Sequence, residues 1–134
     1  MDEKIKASLE KALSSGKDAL KNLKEISKNI TKEVMEKSKT QGEDVKNSAN
    51  KVFKDIINSL GILGKDTFEY LKAAAAGVKE GLKESGTEDN NLLNALGVSV
   101  LDSLKNLGTA GIYVTKETAK NLASVVGEMF KKKE

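Results

Sequence analysis

Apolar residues recur along this chain at steps of three and four, in three runs separated by polar gaps. The first run comprises Ile5, Leu9, Ala12/Leu13, Gly16, Leu20, Leu23, Ile26, Ile30 and Val34. Such spacing keeps one side of an α-helix apolar. Residues 36–44 then carry no apolar side chain. Within that gap, Thr40-Gln41-Gly42-Glu43 has the Thr-x-x-Glu spacing of a capping box, and Gly42 equally supplies the left-handed residue that ends a helix. Either device places a turn at about residues 39–43.

The second run is Val45, Ala49, Val52/Phe53, Ile56, Leu60, Leu63, Thr67/Phe68, Leu71, Ala75, Val78 and Leu82, closed by Ser85-Gly86-Thr87-Glu88-Asp89-Asn90. A glycine stop, a Thr or Asp cap and acids in the next first turn make that segment a helix boundary. The third run uses Leu93, Leu96, Val100/Leu101, Leu104, Leu107, Gly111, Val114, Thr118, Leu122, Val125 and Met129. A second apolar line lies beside it at Val98, Ile112, Ala119 and Val126. This run is apolar around about half a helix, so its second line predicts deep burial or a face that meets a partner or a second copy of the chain.

The expectation is one all-α domain, residues 1–134, with helices at about 3–39, 43–84 and 89–131. Short connections make neighbouring helices antiparallel, which gives an elongated three-helix bundle of roughly 40-residue helices, each about 60 Å long. Pro is absent, so no residue forces a break inside a run. The β-branched residues fall on the helical stripe rather than in alternation, and no strand is expected.

Ala12, Leu23, Val34, Val45, Ile56, Thr67 and Val78 are spaced by eleven, a period close to three helical turns. That spacing passes through residue 42 and defines a competing topology, a single helix continuous across the first gap. Three short fragments carry the resemblance to a known class: Thr31-Lys32-Glu33-Val34, Val78-Lys79-Glu80-Gly81 and Val114-Thr115-Lys116-Glu117-Thr118. In these fragments the chain resembles the Lys-rich amphipathic helical repeat proteins of the apolipoprotein, synuclein and late-embryogenesis-abundant kind. The resemblance implies affinity for lipid or another apolar surface and brings no catalytic residues. The larger aliphatic content here, above all in the third run, favours a folded core.

Glycine is the residue type placed most unusually. Gly61 and Gly64, and again Gly108 and Gly111, occur in Leu-Gly-x-x-Gly frames inside predicted helices, where each costs about 1 kcal/mol relative to Ala. Antiparallel folding about Gly86 sets Gly61 opposite Gly111 and Gly64 opposite Gly108. Folding about Gly42 brings Leu20 and Leu23 to the same level and sets Gly16 opposite Phe68. The pattern predicts a helix-packing waist of Gly61, Gly64, Gly108, Gly111, Leu20 and Leu23. A mid-height ligand cavity or hinge is the alternative.

Composition narrows the chemistry. The 134 residues include no His, Cys, Trp or Arg, which removes most side chains used for nucleophilic, acid–base and soft-metal chemistry. Carboxylates such as Glu33/Glu36 and Asp66/Glu69 fall on polar faces beside lysines. No catalytic, cofactor or metal site is predicted, and a non-enzymatic structural or interaction protein is the expectation. The alternative is reversible lipid or apolar-surface binding, with the bundle opening to lay its helices flat. A net charge of +3 with lysine as the only cation argues against nucleic-acid binding. Lys131-Lys132-Lys133 complements a helix C-terminus, with weak contact to anionic lipid as the other reading. Met1-Asp2-Glu3-Lys4 lacks the apolar segment of a secretory signal, and the longest uncharged run, Asn90 to Leu101, is too short to span a bilayer. A soluble cytoplasmic protein is the corresponding expectation.

Overall fold

The computed structural model describes residues 3–65, 67–86, 92, 96 and 116–129. Among them are five α-helices and one short 3-10 turn, with no strand. The helices are α1 (Glu3–Leu13), α2 (Ala19–Gln41), α3 (Val45–Ile62), α4 (Phe68–Glu84) and α5 (Lys116–Met129), and the 3-10 turn spans Gly16–Asp18. All five pack around one core that includes Phe53, Leu9, Leu23, Met35, Ile56, Leu60, Leu71 and Leu82, each fully buried.

The first predicted helix, 3–39, is a helical hairpin. Ser14 and Ser15 turn their hydroxyls back onto the carbonyls of Lys11 and Ala12 (2.8 and 2.5 Å), and Gly16 adopts a left-handed backbone, φ 69°. Serine hydroxyls that bond nearby carbonyls compete with helix propagation, and a left-handed residue reverses the chain. α1 folds back antiparallel to α2, with Lys4 Nζ 4.0 Å from Glu33. The apolar stripe runs through this break because both halves face the same core.

The second predicted helix, 43–84, is also two helices. Gly64 is left-handed at φ 73°; its N–H reaches the Gly61 carbonyl (3.2 Å) and the Lys65 N–H reaches the Leu60 carbonyl (2.8 Å). These paired bonds form a Schellman C-cap, which satisfies the last carbonyls of α3. Thr67 then starts α4 from an extended backbone. The predicted turn at Gly42 and the boundary at Gly86 both hold, each on a left-handed glycine. Helix does not continue across residue 42. The capping box there does not form: Thr40 Oγ1 donates to the Glu36 carbonyl (2.9 Å), and Asp44 accepts from the N–H groups of Lys46 and Asn47 (2.9 and 3.4 Å) as the N-cap of α3.

α3 runs antiparallel to α2, with Ser48 Oγ donating to Ser38 Oγ (2.9 Å) near the Gly42 corner. α4 reverses again and lies parallel to α2. α2 with α4 is the most extensive helix pair, while α4 meets α3 much less and also carries α5. α1 packs on α2 and α3. Of the third predicted helix, 89–131, the described part is helical at Leu92, Leu96 and 116–129, and Leu92, Leu96, Leu122, Val125 and Val126 are buried.

Candidate interaction surface

Two backbones meet closely between α2 and α4. A β-carbon on Gly77 would fall on the Lys24 carbonyl oxygen, 2.8 Å from Ser27 Cβ and 3.1 Å from the Lys28 nitrogen. One turn later, a β-carbon on Gly81 would lie 2.7 Å from both the Lys28 oxygen and Thr31 Cβ. Small side chains thus face missing ones, and the backbones touch where a larger residue would hold them apart. Ala74, Ala75 and Val78 continue the buried face of α4.

The buried stripe of α2 is Ala19, Leu23, Ser27, Thr31, Met35 and Ser38, at steps of four and then three. It lies beside the aliphatic line Ile26, Ile30 and Val34, which is only partly buried. Ser27 Oγ and Thr31 Oγ1 are fully buried and have no hydrogen-bond partner. Sequence reasoning passed over both residues because hydropathy ranks them as polar. The signal that could have found them is the spacing of four shared by Ser27/Thr31 and Gly77/Gly81.

Charged pairs line the edge of this seam. Lys24 lies 3.7 Å from Glu80. Lys28 bonds Glu25 at 2.9 Å and lies 3.7 Å from Glu84, whose other oxygen is 3.2 Å from Lys32. The bond to Glu25 chiefly holds the Lys28 ammonium above its ordinary pKa, with Glu84 and Glu80 acting in the same direction against partial desolvation. The bond from Lys32 chiefly holds the Glu84 carboxyl below the usual carboxylate range, also against desolvation and with help from Lys28. At the end of the seam, Lys39 Nζ donates to the Ser85 carbonyl (2.7 Å), placing a cation from α2 on the negative C-terminus of α4.

Four of the six residues predicted to form the waist are described. Gly64 ends α3 with open space around it, and Gly16 likewise faces nothing within 4 Å rather than Phe68. Gly61 lies half-buried in the last turn of α3. Leu23 is in the core, whereas Leu20 is 37 % exposed, because the inward stripe of α2 passes through Ala19 and Leu23. Gly108 and Gly111 lie outside the described residues. On the second apolar line of the third run, Val126 is buried within the single chain at 3 % exposure, the first of the two outcomes expected of that line, and so is not open to a partner. Val98, Ile112 and the Ala119 side chain are outside what is described.

Among the described residues, no helix is long and apolar enough to cross a membrane, and no group of three His, Cys, Asp or Glu side chains is arranged to hold a metal ion. A groove of about 240 Å³ opens between α1, α2 and α3, lined by Ile5, Val34 and Val52 with Lys37, Lys51, Glu43 and Asp55 nearby. Its two lysines and two carboxylates balance. Tyr70 and Phe68 are partly buried at the start of α4, with Lys65 Nζ 5.5 Å from the first ring and Lys72 Nζ 5.9 Å from the second. Comparison with protein-family models, with curated proteins and with solved structures returned no match.

Proposed function

We propose that the protein is a non-enzymatic helical structural or interaction module. The observation that carries this reading is the α2–α4 seam. Its matched small residues and bordering ion pairs commit the chain's most specialised local sequence to holding helix against helix. Among the described residues, the ionisable groups with perturbed pKa values, Lys28 and Glu84, belong to that same border, where packing and pairing account for their shifts. Light scattering over a range of concentrations tests the proposal. An interaction module yields a mass above that of one chain or a stable complex, and a monomer at every concentration that floats with vesicles defeats it.

A second reading, reversible binding to lipid or another apolar surface, is favoured by the corners. Gly16, Gly42 and Gly64 each join two helices through a left-handed backbone with open space around it. Reorienting the helices at these points breaks no side-chain packing at the glycine itself. Circular dichroism and flotation with anionic and neutral vesicles separate the two readings, since only the second requires lipid-dependent flotation.

A further inference from the structure

We propose that the α2–α4 seam is a salt-sensitive latch at which α4, carrying α5, swings away from the three N-terminal helices about Gly64. Three independent observations meet at this contact. First, among the described residues α4 reaches the first three helices chiefly through α2, in the most extensive helix pair, and the connection from α3 passes through a left-handed glycine in open space. Second, the seam closes over two hydroxyls that it does not satisfy. Ser27 Oγ and Thr31 Oγ1 lose water on closure and gain no partner, whereas opening restores their hydration.

Third, the interactions that oppose opening sit at the solvent border. Lys24–Glu80, Lys28–Glu84 and Lys32–Glu84 join the two helices through side chains that all keep some exposure to water. Dissolved ions weaken such pairs, while they barely touch the aliphatic contacts of α1 with α2 and α3. Closure is therefore set against a buried polar penalty and held by the apolar face of α4 together with screenable charge. Opening would uncover the buried face of α4, including Leu71, Ala74, Val78 and Leu82. The latch supplies the step that the apolar-surface reading requires. Its test contains no lipid, so a seam that stays shut and a failure to bind vesicles are separate outcomes.

The chain has no cysteine, so one introduced thiol reports on one position. Ser27→Cys places it in the seam, and Leu9→Cys places it in α1, which packs on α2 and α3. Truncating Leu9 weakens the whole fold, so slower labelling there is a strict comparison. The latch predicts that Ser27→Cys reacts with a thiol reagent about tenfold or more faster than Leu9→Cys, as expected for sub-global opening. Raising salt from about 0.05 M to about 0.5 M should accelerate the seam position more than the α1 position, which a single long and exposed pair, Lys4–Glu33, borders among the described residues. Glu84→Gln at low salt should reproduce the effect of salt. Thr31→Cys replaces Ser27→Cys if the latter does not fold. Equal labelling rates at the two sites, or a seam rate indifferent to both salt and Glu84→Gln, overturn the proposal.

Discussion

Gly77 on α4 meets the Lys24 carbonyl on α2 so closely that no β-carbon fits between them. The hydrogen that stands in place of a side chain points at that oxygen, a geometry in which a weak Cα–H···O contact adds to close packing. Glycine is therefore retained in the middle of a helix at a position where alanine would otherwise be the better helix former.

Gly77→Ala and Gly81→Ala should each destabilise the fold. Alanine gains about 1 kcal/mol in helix propensity, but forcing apart two touching backbones costs about 1–3 kcal/mol. Gly127→Ala is the internal control, because that α5 glycine is exposed and faces open space. It should raise stability by up to about 1 kcal/mol. Thermal melts of the three variants give the comparison, and stabilisation at Gly77 would refute the close approach.

Gly64 should respond to backbone conformation rather than to volume. At φ 73° with nothing within 4 Å, Gly64→Ala and Gly64→Leu should cost similar amounts, about 1–2 kcal/mol. Gly64→Asn should cost less, since Asn enters the left-handed region more readily. Urea denaturation that ranks Leu far below Ala would instead speak for the packed waist expected from the Leu-Gly-x-x-Gly frame.

Thr31→Val exchanges the unpartnered hydroxyl for a methyl group of nearly the same shape. Removing a buried, unsatisfied donor and acceptor should stabilise by about 1 kcal/mol. Thr31→Ser keeps the hydroxyl and deletes a buried methyl, and should destabilise by a similar amount. A lower melting temperature for the Val variant than for the wild type would mean that the hydroxyl is bonded in solution.

The ionic border has opposite signatures at the two ends of the pH scale. Glu84 has a depressed folded pKa, so its contribution is present above the ordinary value of 4.5 and is lost as pH falls through the folded value. Lys28 has a raised folded pKa, so its contribution is present below 10.5 and is lost as pH rises through the folded value. Stability measured against pH should therefore fall less steeply in acid for Glu84→Gln than for the wild type. Lys28→Gln should flatten the alkaline limb and, because Lys28 helps depress Glu84, soften the acid limb to a smaller extent. Parallel curves at both ends would remove the border from the stability account.

Periodicity made the helical class, the apolar line of α3 and the turns at Gly42 and Gly86 readable. It could not reveal the corners at Gly16 and Gly64, because a stripe that faces one core keeps its phase on both sides of a break. Ser14-Ser15-Gly16 and Gly64-Lys65 were the local signals, and the absence of proline hid their strength. The expectation that glycines mark close backbone approach holds at Gly77 and Gly81, while Gly108 and Gly111 of the expected waist lie outside the described residues. Gly77 and Gly81 perform that role, opposite residues that hydropathy assigns to the surface. The inward turn of Ser27 and Thr31 follows from the partner helix, and a partner is set by topology rather than by neighbours in sequence.

The parallel pairing of α2 with α4 also orders events during synthesis. α1, α2 and α3 join through short corners and can form their hairpins as soon as they leave the ribosome, whereas α4 must be made before the α2 seam is covered. Until then the middle of that seam shows water two hydroxyls and short side chains instead of a strip of leucine. The polar residues that weaken the finished contact therefore make the middle of the unfinished one less adhesive than a strip of leucine would be.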